Sequence, residues 1–181
     1  RDLRQQGACI DTWGVGTKLI TSENCPALGG VYKLAEVERH GKMQPRIKIS
    51  ENFWKITNPG YKKVVRIYDG ATEKAIADLI MLDHEQIDVS RPLTIFDPVE
   101  TWKRMTISNY YIKELLVPIF QGGKQVYESP GMMASRDYAK KDLDTFWAEY
   151  RRPYRPHIYK VDLSQELFDL KHELLGESAR H

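Results

Sequence analysis

The sequence is poor in cysteine, poor in net charge and without a long hydrophobic run, and each shortage removes a class of function. Its two cysteines, Cys9 and Cys25, have no second Cys or His at ligand spacing. That excludes a disulfide framework and a zinc site, and it fits a reducing, cytoplasmic compartment. No stretch approaches the roughly 18 uncharged apolar residues that cross a bilayer, and the N-terminus lacks the charged-then-apolar order of a signal peptide. A formal charge of +2 is too small to mark a polyanion partner, because nucleic-acid binding needs clustered positive charge. Neither an internal repeat nor a low-complexity tract is present. With 181 residues the chain is long enough to bury about 70% of its unfolded surface, so one or two domains need no covalent staples. Position 1 is Arg, which reads as a processed chain or a portion of a larger one.

What is present divides into three parts. Residues 8–13, Ala-Cys-Ile-Asp-Thr-Trp, are bounded by Gly7 and Gly14 and predict a buried strand feeding a glycine turn. From residue 30 to about 127 short alternating segments are separated by turn chemistry. Ile47 and Ile49 alternate with Arg46, Lys48 and Ser50, and Val65 and Ile67 alternate with Val64, Arg66 and Tyr68, the period of half-buried strands. His40-Gly41-Lys42, Asp69-Gly70 and Gly122-Gly123 supply hairpin signals, and Pro59-Gly60 a further break. An antiparallel sheet with one covered face is predicted there.

Residues 128–181 return to helical spacing. Ser135 is placed to cap a run carrying Ala139, Leu143, Phe146, Trp147 and Tyr150, stopped by Pro153. Asp162-Leu163-Ser164-Gln165 opens a second run with Leu163, Leu167, Leu170 and Leu174 on one stripe, ended by Gly176. Both stripes are expected to dock on the sheet, and the last five residues to fray.

The turn Gly14-Val15-Gly16-Thr17 carries the clearest chemistry. Backbone N–H groups at a tight turn can converge on an anion, a Cβ would obstruct a phosphate, and the Thr17 hydroxyl adds a donor. The tetrapeptide alone is weakly specific. It lacks the third glycine of the dinucleotide fingerprint and the Gly-Lys-Ser/Thr of the nucleotide-binding P-loop.

Longer segments are more specific. "IDTWGVGTKLIT" followed by "CPALGGVYKL", then "PRIKIS" with "KITNPGYKKVVRIYD", then "KELLVPIFQGGKQVYESP" and "YKVDLSQELFDLKHELL" resemble, in order, segments of the nicotinate phosphoribosyltransferase family. The likeness runs from about Gly7 to Leu175. It implies an α+β chain: the end of an irregular α/β barrel of type II phosphoribosyltransferase kind (residues 1–29), an antiparallel β-rich region (30–127) and C-terminal helices (128–181).

The implied reaction joins nicotinate to phosphoribosyl pyrophosphate, giving nicotinate mononucleotide and pyrophosphate with ATP hydrolysis. ATP is implied as co-substrate, Mg2+ as an accompanying ion, and a homodimer as the assembly. By the same likeness Gly14, Gly16 and Thr17 match the positions that hold the ribose 5-phosphate. The family's phosphorylated histidine and its nicotinate-gripping residues lie before the glycine turn, and only six residues precede Gly7. The expectation is therefore a C-terminal portion, about the last third, inactive by itself. No metal ligands are assigned within it. Gly131-Met132-Met133-Ala134 departs from the more acidic helix entry the family leads one to expect.

Other candidates have plainer readings beside their functional ones. Asp11 is placed to meet a ribose hydroxyl or a metal-bound pyrophosphate, or to act as a local hydrogen-bond partner. Lys18 is placed to neutralise phosphate, or to face solvent. His84, among Asp83, Glu85 and Asp88, reads as a turn surface, lacking the second ligand a metal site needs. "RRPYRPHIYK", residues 151–160, combines Arg151, Arg152, Arg155 and Lys160 with Tyr154 and Tyr159. It reads either as a Pro-stiffened linker packing on Asp142, Asp144 and Glu149, or as the contact of a free-standing β-rich module with RNA or protein.

Overall fold

The structure, a computed structural model, describes residues 2–27, 30–52 and 55–178, and the side chains of Asp2 and Ser178 are not described. Leu28 and Gly29 of the quoted "CPALGGVYKL", the expected boundary at 29 and the three final residues lie outside the described residues. Two single-turn helices, α1 (Asp2–Gln5) and α2 (Thr17–Ile20), precede a hairpin of β1 (Glu36–Arg39) and β2 (Lys42–Pro45). Next come β3 (Lys62–Asp69), β4 (Ala75–Leu82), β5 (Leu93–Phe96), β6 (Arg104–Ile107) and β7 (Tyr110–Glu114). A small hairpin of β8 (Phe120–Gln121) and β9 (Lys124–Gln125) leads to α3 (Met132–Asp144), α4 (Ala148–Arg151), β10 (Val161–Leu163) and α5 (Gln165–Ser178).

The centre is a four-stranded sheet in the order β10-β4-β3-β7. β3 runs antiparallel to β4 and β7, while β10 runs parallel to β4, pairing Leu163 with Ile80. The period-2 reading of β3 holds. Val65 and Ile67 face the core, joined by Ala77, Leu79 and Met81 from β4 and by Ile95 and Ile107 from the β5–β6 ribbon. Those side chains are removed from water almost completely, and burial of this kind contributes about 1.5–3 kcal/mol for each large aliphatic group. The turn signals also hold. His40 and Gly41, at φ 54° and 71°, form the two-residue link of β1 to β2. Asp69 Oδ1 accepts from the amides of Ala71 at 3.0 Å and Thr72 at 2.7 Å, closing the link of β3 to β4.

The opposite face of the sheet, expected to be open, is covered as well. There Arg66 makes a bidentate pair with Asp78 at 2.8 and 3.0 Å and a further bond to Asp142 of α3 at 3.1 Å. Its guanidinium lies 4.7 Å from the Phe146 ring and 5.8 Å from that of Tyr159, whose hydroxyl donates to Asp78 at 3.0 Å. Further along this face, Leu82, Leu163 and Leu167 form a second cluster with Ile80, Phe168 and Leu170. Ser164 joins the layers: its Oγ accepts from the Leu167 amide and donates to Glu85, whose carboxylate also accepts from Leu82 N. Ser164 thereby caps the N-terminus of α5, two residues later than the Asp162 start expected for this run.

Several expectations are corrected. Residues 8–13 are not a buried strand; they form no ladder, and Cys9, Asp11 and Trp13 are exposed. A strand is stabilised by the strands beside it, and no other described segment pairs with this one. Residues 46–50 are irregular rather than a strand, held to the next segment by Lys48 N bonding Thr57 Oγ1 and Thr57 N bonding Lys48 O.

In the C-terminal part, Ser135 lies inside α3, where its hydroxyl donates back to Gly131 O at 2.9 Å, and Gly131 occupies the cap position. The expected single run breaks into α3 and α4, and Leu143 and Trp147 stay exposed while Phe146 and Tyr150 are half-buried. Asp162 and Leu163 belong to the parallel strand β10 rather than to a helix start, and α5 runs on through Gly176.

Two predictions follow from this packing. Substituting Arg66→Met strands Asp78 in the sheet face and should lower unfolding stability by about 3–5 kcal/mol in urea titration; an unchanged midpoint would show that the pair is dispensable. The Asp162 carboxylate is 1% exposed, with Lys160 Nζ 3.0 Å away, and burial pushes its pKa above the ordinary 3.8. Between 3.8 and that raised value the folded chain binds the extra proton, so stability falls as pH rises through the window. Asp162→Asn removes this loss, so its stability relative to the parent should climb with pH across the interval. Parallel stability–pH curves would refute the assignment.

Candidate functional site

The glycine turn is built from local interactions alone. Gly16 caps α2 with φ −126° and ψ −140°, and its carbonyl accepts from Leu19 N at 3.1 Å and Ile20 N at 3.3 Å. The turn closes with Thr21 N on Thr17 O at 2.9 Å, the Thr21 hydroxyl on the same oxygen at 2.8 Å, and Glu23 N on Lys18 O at 3.1 Å. The amides of Thr17 and Lys18, first in the helical turn, and the Thr17 hydroxyl have no acceptor among the described residues. An approaching anion would meet these donors. Lys18 pairs with Glu23 at 3.0 Å. Asp11 is exposed and makes no ion pair among the described residues. Gly14, Gly16, Thr17, Asp11 and Lys18 thus share one exposed stretch.

The need for glycine here does not come from within the chain. Neither Gly14 nor Gly16 has the positive φ that disfavours a side chain, and a Cβ at either would meet no atom within 4 Å. Gly60 behaves in the opposite way. Its φ is +81°, and a Cβ would lie 2.6 Å from Leu82 Cδ2. Backbone demand explains Gly60, whereas it leaves the two turn glycines to be explained by something that approaches from outside.

The remaining candidates resolve into structural roles. His84 sits in a turn and bonds Glu166 Oε1 at 2.7 Å across to α5. In the basic segment, Arg151 pairs with Asp144 at 2.7 Å, Lys160 with Asp162, and His157 N bonds Glu149 O at 3.0 Å. That agrees with the linker reading, with one exchange: Asp142 pairs with Arg66. No three His, Cys, Asp or Glu side chains converge as a metal site among the described residues. No helix of the described residues is long and apolar enough to cross a membrane.

The family model for the nicotinate phosphoribosyltransferase C-terminal domain matches residues 61–171, the span that holds the central sheet and the first half of α5. The chain belongs to the nicotinate phosphoribosyltransferase family. It is 42% identical to nicotinate phosphoribosyltransferase of Bacillus subtilis over 97% of this chain and 36% of that protein. Against the same-named protein of Dictyostelium discoideum it is 32% identical over 97% of this chain and 30% of the other. The crystal structure of human nicotinic acid phosphoribosyltransferase superposes with a TM-score of 0.66 at 27% identity, over 82% of this chain and 27% of that one. The chain spans about a third of the length of these relatives and corresponds to their C-terminal portion.

The geometry separates two kinds of glycine. Gly14→Ala and Gly16→Ala should each leave the unfolding free energy within about 0.5 kcal/mol of the parent, while Gly60→Ala should cost more than about 1 kcal/mol through its backbone strain. Thermal denaturation of the three variants measures this, and a large loss at Gly14 or Gly16 would mean that those glycines serve packing.

Proposed function

We propose that this chain is the C-terminal portion of a nicotinate phosphoribosyltransferase in NAD biosynthesis, and that it supplies the turn that holds the ribose 5-phosphate. The reaction would join nicotinate to phosphoribosyl pyrophosphate, releasing pyrophosphate and nicotinate mononucleotide, with ATP hydrolysed alongside, in a cytoplasmic homodimer. In this reading residues 1–29 end the barrel, 30–127 form the β-rich region and 128–181 the helical one.

The observation that carries the proposal is the pair of glycines that neither backbone conformation nor internal packing requires, followed by amides and a hydroxyl without acceptors. A phosphate needs that combination. The amides of Thr17 and Lys18 would donate to its oxygens, the Thr17 hydroxyl would add a third bond, and the missing Cβ atoms would let the backbone approach closely. The phosphate is remote from the bond that forms, so its grip would position the sugar for attack rather than take part in it. Lys18, paired to Glu23 in the open, would need to change partner to contribute. The groups that grip nicotinate and stabilise departing pyrophosphate belong to the rest of the protein.

The test is Gly16→Val in the full-length protein. A roughly hundredfold fall in kcat/KM for phosphoribosyl pyrophosphate is expected, with KM for nicotinate changing far less. Unchanged kinetics for phosphoribosyl pyrophosphate would remove the turn from the site.

A further inference from the structure

Helix α3 is tied to the central sheet through its C-terminal turn. Asp142 bonds Arg66 and Ala75 N bonds Thr145 O at 2.9 Å, which anchors the C-terminal turn. Met132 and Met133 at the other end are exposed. Between the anchored end and edge strand β7 lies a cleft of about 330 Å3, lined by Tyr68, Tyr111, Lys113, Tyr138, Lys141 and Asp142 with Thr145.

The lining has a consistent chemistry. Tyr68 and Tyr111 are paired across β3 and β7, and their rings stack at 5.0 Å between centroids and 6° between planes. Tyr68 is buried, while Tyr111 keeps 43% of its surface exposed. Tyr138, Lys141, Asp142 and Thr145 follow at helical spacing, so a third aromatic ring lines the cleft with the stacked pair. Lys113 Nζ lies 5.3 Å from the Tyr138 ring centroid. Neither Lys113 nor Lys141 forms an ion pair among the described residues. The one carboxylate of the lining, Asp142, is paired with Arg66, which it shares with Asp78.

We infer that this cleft is a binding site for an anionic heteroaromatic ligand of mononucleotide size, separate from the glycine turn. Aromatic faces accept a planar base by stacking, each such contact contributing about 1–3 kcal/mol. Two ammonium groups without carboxylate partners supply point charges suited to a phosphate. The volume suits a small ligand, since 330 Å3 lies at the lower end of the range of about 300–1,000 Å3 for small-molecule sites. The site would act through α3: a ligand wedged beside Tyr138 would close the free end of the helix onto the β3–β7 edge.

The experiment uses the full-length protein labelled with 3-fluorotyrosine, the resonances of Tyr111 and Tyr138 being assigned by Tyr→Phe substitution. Titration with AMP should shift both 19F signals, and it should shift them equally in the Gly16→Val variant, which separates this cleft from the proposed phosphate turn. Lys113→Glu with Lys141→Glu, both exposed positions, should weaken the AMP-dependent shift by about tenfold in apparent affinity. Adenosine, lacking the anion, should bind as weakly as AMP does to that double variant. Signals that stay fixed up to roughly 5 mM AMP, or shifts that persist unchanged in the lysine double variant, would overturn the inference.

Discussion

The pairing of Arg66 with Asp78 organises the outer face of the molecule. A guanidinium and a carboxylate on neighbouring strands, each 12% exposed at the side chain, are stable in that position only while every donor and oxygen is satisfied. The remaining Nη of Arg66 takes Asp142, and Tyr159 supplies the further donor to Asp78. The flat face of the guanidinium is roofed by Phe146. Three segments distant in sequence are thereby fixed to one point of the sheet. Burial first, and then the adjacent Asp78, push the Tyr159 phenol upward in pKa against the opposing charge of Arg66, so the phenol remains a donor throughout the physiological range.

The same anchoring explains why the helical layer is uneven. α3 is tied at its C-terminal turn, and the chain continues past Trp147 into a segment whose charges are partly engaged with Asp144 and Asp162. Further along the same face of the sheet, α5 is seated by its Ser164 cap and by Leu167, which is fully buried. One helix is therefore part of the core. The other is a flap held by an ion pair and a few ring contacts.

The N-terminal stretch contrasts with both. Its turn is hydrogen-bonded within itself, and Trp13, Val15, Leu19 and Ile20 are all exposed. Apolar side chains presented together in this way are the usual sign of a surface that another element covers. The matched relatives are about three times as long as this chain, in keeping with a segment whose neighbours belong to a larger body. Under the proposed function the turn would supply clearance and donors, and the rest of the pocket would be placed around it.

Much of the architecture was legible in the residues. Alternation at Val65 and Ile67, the turn residues His40-Gly41 and Asp69-Gly70, and the leucine stripe closing with Leu174 act over a few positions, so local sequence determines them. The family likeness was legible too, because several long segments stand in order. Tertiary structure alone decided the rest. Whether residues 8–13 become a strand depends on a neighbour to pair with, and whether Ser135 caps or back-bonds depends on where Gly131 lets the helix begin. Val161 to Leu163 become a parallel strand because β4 leaves an edge free beside them, which no local pattern records. Arg66 gave no sign that it would be buried among carboxylates and rings, since its partners lie 12, 76 and 93 positions away by subtraction of residue numbers. Periodicity reports which side of an element is apolar; the long-range contacts that choose its partner are settled only when the chain closes on itself.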